Sequence, residues 1–196
     1  SDLAFYRQTS GTSSAVCGLM MGMARADNGI IMTPRVESVL HHELQADTVF
    51  HACPEQAGLA LAAVRRGFHA IVHAARADQL AEQTSNSALR REIDRGSIAV
   101  SDALPTPEQL VGYLSRGYVP MLRSSFRRLH HDAGRDWRLV TDFDGFLFCI
   151  VDPEMPPESE ATATAVTTSE MRASLRDERA VAVILLKPGS ASPTRI

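Results

Sequence analysis

The order of secondary-structure signals predicts an α+β domain in which N-terminal helices pack on a C-terminal antiparallel sheet. Three observations carry that expectation. Apolar residues recur at helical spacing through the first third of the chain, β-rich apolar runs crowd the second half, and Asp144-Gly145 lies between two of those runs as a hairpin turn. A length of 196 residues suits one domain with a real core, so residues 1–196 are read as a single unit.

The first helix is expected over residues 14–26, where Val16, Leu19, Met20 and Met23 share a face after the hydroxyl cluster Thr12, Ser13 and Ser14. A second enters through Thr33-Pro34 and turns Val36, Val39, Leu40 and Leu44 inward, because proline's fixed φ and missing N–H suit a first helical position. A third follows Cys53-Pro54, covers residues 57–66 with Leu59, Ala60, Ala63 and Val64 in the core, and stops at Gly67. Residues 68–74 read as a strand, 77–95 as a polar helix or helix plus loop, and 107–116 as a short helix ended by Gly117. Residues 118–122, 137–142, 146–151 and 180–186 supply the sheet. Residues 153–168, rich in Pro, Glu, Ser and Thr, read as a long surface loop before a last helix over 169–176.

The cations exclude several chemistries. Of twenty Lys and Arg residues, Lys187 alone is lysine. A phosphate-binding loop needs Gly-Lys-Ser/Thr, a Schiff-base enzyme needs a buried amine and a kinase needs a strand lysine, and Lys187 stands in none of these settings. A net charge of −3 makes no basic field, and the cluster Arg123, Arg127 and Arg128 before His130 and His131 lacks flanking aromatics, so no nucleic-acid partner is expected. No apolar run is long enough to span a bilayer and the first residues lack a signal-peptide pattern, which predicts a cytoplasmic protein without a membrane partner. Cys17, Cys53 and Cys149 are odd in number and widely spaced, signalling neither a disulfide framework nor a zinc site. His41, His42, Glu43 and His51 fall short of a His-Glu-x-x-His motif because Ala46 stands where the second histidine belongs, so no metal and no cofactor are expected.

Three points converge if the sheet packs on the first helix: the helix start around Ser14 and Cys17, the strand start at Asp136-Trp137, and the Asp152-Pro153 step after the neighbouring strand. A nucleophile at a helix N-terminus gains from the dipole and from free backbone N–H groups, which can also hold an oxyanion. A base at the start of one strand and an orienting carboxylate at the end of its hairpin neighbour would lie side by side. Each residue also has a plainer role: Ser14 as a helix cap, Cys17 as a small core residue, Asp152 as a strand-ending turn, Trp137 as core filler.

At these residues the chain resembles the papain-like cysteine peptidases that cut bacteriocin leaders after a double glycine, and more closely their bacterial peptidase-like relatives. Tyr6-Arg7-Gln8-Thr9 matches the family's opening, Leu19-Met20-Met21-Gly22-Met23 its apolar helix, and Gly58–Ala63 with Arg65-Arg66-Gly67-Phe68 its middle helix. Val119-Pro120-Met121-Leu122, Arg128-Leu129-His130, Trp137, Asp142-Phe143-Asp144 and Asp152-Pro153 then follow in order. The resemblance implies a papain-like fold, an oxyanion-side role for Gln8, a third-member role for Asp152, and a peptide or acyl substrate, free or carrier-bound, with Trp137 and His130 beside it.

The two reacting positions depart from the family. With five residues between it and Gln8, where the nucleophilic cysteine belongs, stands Ser14, and the family's His-Trp is Asp136-Trp137. A serine hydroxyl needs a better base than a thiol does, yet aspartate's ordinary pKa of about 3.9 against about 6.5 for histidine makes it a worse one. Asp136 and Asp152 could instead share a proton if they lie close. One repair makes Cys17 the nucleophile with His130 or His131 as base; another reads Ser14 as replacing a cysteine, and leaves Asp136 unexplained. Two functions follow: an altered hydrolase or acyltransferase acting on an amide or acyl substrate, or a pseudo-peptidase that keeps the cleft for binding.

Overall fold

The computed structural model describes residues 14–27, 33–50, 54–74, 86–124, 137–153, 163–177 and 180–186. The helices are α1 (Ser14–Ala26), α2 (Pro34–Gln45) running into a π-helical turn (Ala46–Phe50), α3 (Glu55–Val64), α4 (Ser87–Asp94), α5 (Pro107–Ser115) and α6 (Thr168–Ser174). The strands are β1 (His69–Ala74), β2 (Ile98–Ser101), β3 (Val119–Arg123), β4 (Trp137–Phe143), β5 (Leu147–Val151), β6 (Thr164–Thr167) and β7 (Val181–Leu186). They form one sheet in the order β2-β1-β7-β3-β4-β5-β6.

Local chemistry sets most helix ends. Thr33 Oγ1 accepts the Val36 N–H at 3.2 Å with Pro34 next to it, and Asn86 Oδ1 accepts those of Ala88 and Leu89. Thr106 with Gln109 and Thr167 with Glu170 close capping boxes at α5 and α6. Gly67 and Gly117, at φ 81° and 79°, reverse the chain after α3 and α5, in a backbone region that glycine alone enters without strain.

The expected α+β class is what forms, with a sheet that is mixed. β1 pairs parallel with β2, while the pairs of β7 with β1 and β3, of β4 with β3 and β5, and of β5 with β6 are antiparallel. The sequence reading passed over β2 and placed β6 inside a loop. Each is four residues long and lies at an edge, where a short strand leaves too few positions for alternation to show. β7, the last strand in sequence, is central and buried along its whole length, which is why Val181–Leu186 reads as an unbroken apolar run.

Helices cover both faces of the sheet. Val183 and Leu185 turn to a core shared with α1, α2, α3 and α4, whereas Ala182, Ile184 and Leu186 turn to a second core under α5 and α6. On the first face α1 lies unusually close to the strands. A Cβ on Gly18 would stand 3.3 Å from Met121 Cε and 3.6 Å from Trp137 Cβ, and one on Gly22 would stand 3.1 Å from Leu185 Cδ1. The two glycines are one helical turn apart and so form a single small-residue ridge against β3, β4 and β7. Arg25 ties the other end of α1 to the sheet by donating to the Thr141 carbonyl at 2.7 Å.

On the second face, His73 of β1 is buried beneath Tyr113 of α5. Its Nδ1 lies 2.8 Å from the Ala103 carbonyl, which can only accept, so Nδ1 carries the proton and Nε2 accepts from the Tyr113 hydroxyl at 3.3 Å. Burial holds the His73 pKa below its ordinary value, outweighing the Ala103 hydrogen bond.

Among the described residues no helix is long and apolar enough to cross a membrane.

Gly22→Val should lower stability by about 1–3 kcal/mol through overpacking against Leu185, read as a shift in urea midpoint. Gly112→Ala, at a helical site with only the Arg116 guanidinium nearby, should instead raise it by up to about 1 kcal/mol. Because the unfolded chain takes up a proton on His73 more readily than the folded one, stability should fall as pH drops below about 6.5. The slope is at most about 1.4 kcal/mol per pH unit from this group, and His73→Gln should flatten it in denaturant titrations between pH 7 and 5.

Candidate functional site

Ser14 opens α1 and Trp137 opens β4, and the close seating of the helix brings the two into contact. Ser14 is 8% exposed as a residue, and its hydroxyl accepts the Trp137 backbone N–H at 3.3 Å. Helix start and strand start therefore meet, as the sequence led us to expect. Gln8, His130 and Asp136, which the sequence adds to this site, lie outside the described residues, as does His131.

The indole of Trp137 enters the first core and is 1% exposed. Its Nε1 donates to Glu55 Oε1 at 2.6 Å, and Arg123 Nη1 donates to the same oxygen at 3.1 Å. Glu55 is the first residue of α3, and Arg123 ends β3 directly opposite Trp137 in the β3–β4 ladder. Both charged side chains keep about a third of their surface exposed, at 35% and 34%. The sequence reading did not select Glu55: an acidic residue in a first helical turn is ordinary. Its indole and guanidinium partners lie 82 and 68 positions away.

Arg138 follows Trp137 and points the other way. Trp137 and Leu139 belong to the first core and Val140 to the second, so alternation along β4 sends Arg138 to the α5 and α6 side. There Arg138 Nε donates to Asp152 Oδ2 at 2.9 Å and its Nη1 donates to the Ser124 carbonyl at 3.2 Å. The ion pair is buried, with side chains 2% and 5% exposed. Asp152, read from sequence as an orienting carboxylate, is thus gripped by a guanidinium that the sequence reading passed over. The signal was available: an arginine set between Trp137 and the apolar Leu139-Val140 of a strand requires a buried anion. Ser124 Oγ is buried beside this pair with no partner among the described residues.

Cys17 lies within α1 with none of its surface exposed. Glu43, from the histidine-rich stretch weighed for metal binding, is held by both terminal nitrogens of Arg66 at 2.8 and 3.1 Å. Among the described residues no group of three or more His, Cys, Asp and Glu side chains is placed to share a metal ion.

Asp152→Asn removes the carboxylate paired with the buried Arg138 guanidinium, and should cost about 3–5 kcal/mol in urea unfolding. Replacing both partners together, as Arg138→Met with Asp152→Leu, should recover most of that loss.

The model of one protein family, described as Peptidase_C39 like family, matches residues 3–178. No curated protein matches the chain. The match spans every element of the site, from α1 through Glu55, Arg123 and β4 to Asp152, and on that extent the chain belongs to the Peptidase_C39 like family.

Proposed function

We propose that this chain is a peptidase-like binding domain. Its cleft at the junction of α1 and β4 holds a peptide or a carrier-bound acyl group, and thiol-type hydrolysis is no longer its task. The observation that carries this reading is the buried Arg138–Asp152 pair. In a nucleophile–base–carboxylate set the carboxylate orients the base and stabilises the cation that the base becomes. A carboxylate whose charge is already matched by a buried guanidinium offers much less of that stabilisation. The residue types add to it, since serine at position 14 asks for a stronger base than aspartate at position 136 supplies.

One observation favours retained acyl chemistry. The Ser14 hydroxyl still sits at the first residue of α1 and against the start of β4, the placement a nucleophile would need. Hydrolysis or acyl transfer through Ser14 is the alternative reading, with Gln8 on the oxyanion side.

Trp137 is the only tryptophan, so tryptophan emission reports on the junction of α1 and β4 and on the core its indole enters. Acetylated, amidated hexapeptides with a central Gly-Gly step should change its emission saturably, while chromatography shows the peptides intact and intact-mass spectrometry shows no acyl adduct. Turnover that disappears in Ser14→Ala would overturn the binding reading in favour of acyl chemistry.

A further inference from the structure

The end of the sheet remote from Ser14 carries a cluster that the candidate site does not use. In the antiparallel β3–β4 ladder Met121 stands opposite Leu139 and Arg123 opposite Trp137. That register sets the turn from α5 into β3, residues 116–118, beside the β4–β5 hairpin at the far end of β4. The hairpin displays Phe146, which at 82% is the most exposed large hydrophobic side chain among the described residues. The turn that carries it is fixed. Asp144 Oδ1 accepts the N–H groups of Phe146 and Leu147 at 2.8 Å each, the Asp144 N–H donates to the Leu147 carbonyl, and Gly145 supplies the positive φ of 103°. An Asp-Gly turn requires no aromatic after it, and it is Phe143 that stacks on Phe148 of the second core. Phe146 adds no burial to the fold, and a ring on a pre-ordered turn costs little entropy to dock.

Charges flank the ring. Asp142 and Asp144 are exposed, and the N–H groups of Leu147 and Phe146 hold the Asp144 pKa below its ordinary value, so it is ionised at neutral pH. Arg116 is exposed but fixed in place. Its Nε donates to the Gly112 carbonyl at 2.8 Å, and its guanidinium lies 5.5 and 5.3 Å from the centres of the Tyr113 and Tyr118 rings. Among the described residues Asp142, Asp144 and Arg116 have no ion-pair partner. The faces of the sheet explain why. Tyr113 and Tyr118 belong to the second core, which puts Arg116 on the α5 side. Asp142 stands opposite Cys149, whose neighbours Phe148 and Ile150 turn to that second core, so Asp142 lies on the other side.

A second copy of the chain brings the two together. A two-fold axis in the plane of the sheet and across its strands sets two such ends against each other and exchanges their faces, so the first-core side of each copy meets the second-core side of its partner. Positions across the sheet are kept by that rotation. Arg116 leads into β3 and Asp142 lies on the neighbouring β4, an offset of one strand spacing, about 4.8 Å, which an arginine side chain spans.

We propose that this end of the sheet is a two-fold interface between copies of the chain: Arg116 of each copy pairs with Asp142 of the other, and the two Phe146 rings pack together near the axis. Two turns per copy form a contact smaller than the roughly 800 Å² a side of a standard interface, so the dimer is weak, with a Kd on the order of 10–100 µM. It stands apart from the binding reading, because Ser14 and Trp137 are at the opposite end of β4.

Sedimentation equilibrium of the full chain from about 1 to 500 µM should show a monomer–dimer equilibrium that weakens as salt rises. Phe146→Ser should raise the Kd by about tenfold or more. Arg116→Asp and Asp142→Arg each set like charges against each other at both symmetry-related contacts, so each variant alone should be monomeric. Their equimolar mixture should dimerise again, since one contact is then the native pair and the other joins the introduced aspartate to the introduced arginine. Urea midpoints and Trp137 emission, read from the other end of β4, show that each variant is folded. The proposal is overturned by a wild-type chain that stays monomeric throughout, by a dimer that persists unchanged in any of the three variants, or by charge-reversed variants that stay monomeric when mixed.

Discussion

The close seating of α1 on the sheet is the constraint on which the site depends. Gly18 and Gly22 bring the helix backbone down onto Met121, Leu139, Trp137 and Leu185, so that a methyl at Gly22 would press on Leu185 Cδ1 at 3.1 Å. That spacing carries Ser14 to 3.3 Å from the Trp137 nitrogen, near the outer limit of a hydrogen bond. A larger residue on the ridge would lift the helix, and a lift of a few tenths of an ångström at its N-terminal end breaks the contact. The site is thus set by packing across three strands: β3, β4 and β7 supply the floor, and the helix start is where the floor ends.

β4 divides the chemistry between two environments. Trp137, at its start, faces α1, where the indole meets a carboxylate and a guanidinium that are each a third exposed. Arg138, the next residue, faces α5 and α6, where it and Asp152 are shielded from water. These pairs have opposite energetics. The ion pair of the exposed one is screened and adds little to stability, while its carboxylate satisfies the buried indole N–H. The buried one has already lost its hydration, so each partner is strongly required by the other and neither is easily released to a reacting group. The family resemblance implies a third-member role for Asp152, and the structure shows its carboxylate paired with Arg138.

The sheet itself shows how a domain of this size avoids open edges. Its most apolar strand, β7, is reached last in sequence and inserted between β1 and β3, while the four-residue β2 and β6 close the two ends. Short edges limit pairing with other chains, and a fully buried centre joins the two cores through one strand.

The helices, the Thr33-Pro34 helix entry, the Gly67 and Gly117 stops, the Asp144-Gly145 hairpin and the apolar strands were legible in the sequence because each depends on neighbours within a few positions. So was the meeting of Ser14 with the start of β4, since a helix followed by a sheet must pack on it. The parallel β1–β2 pair, β6 as a strand, the Glu55–Trp137–Arg123 contact and the Arg138–Asp152 pair depended on tertiary structure. They join residues distant in sequence, or strands too short to show a period, and no local pattern encodes which distant partner a charge will meet. Sequence alone determined that the start of the first helix and the start of a sheet strand should meet. Only the fold decided which face of β4 each charge occupies, because burial fixes a charge's partner and sequence spacing does not.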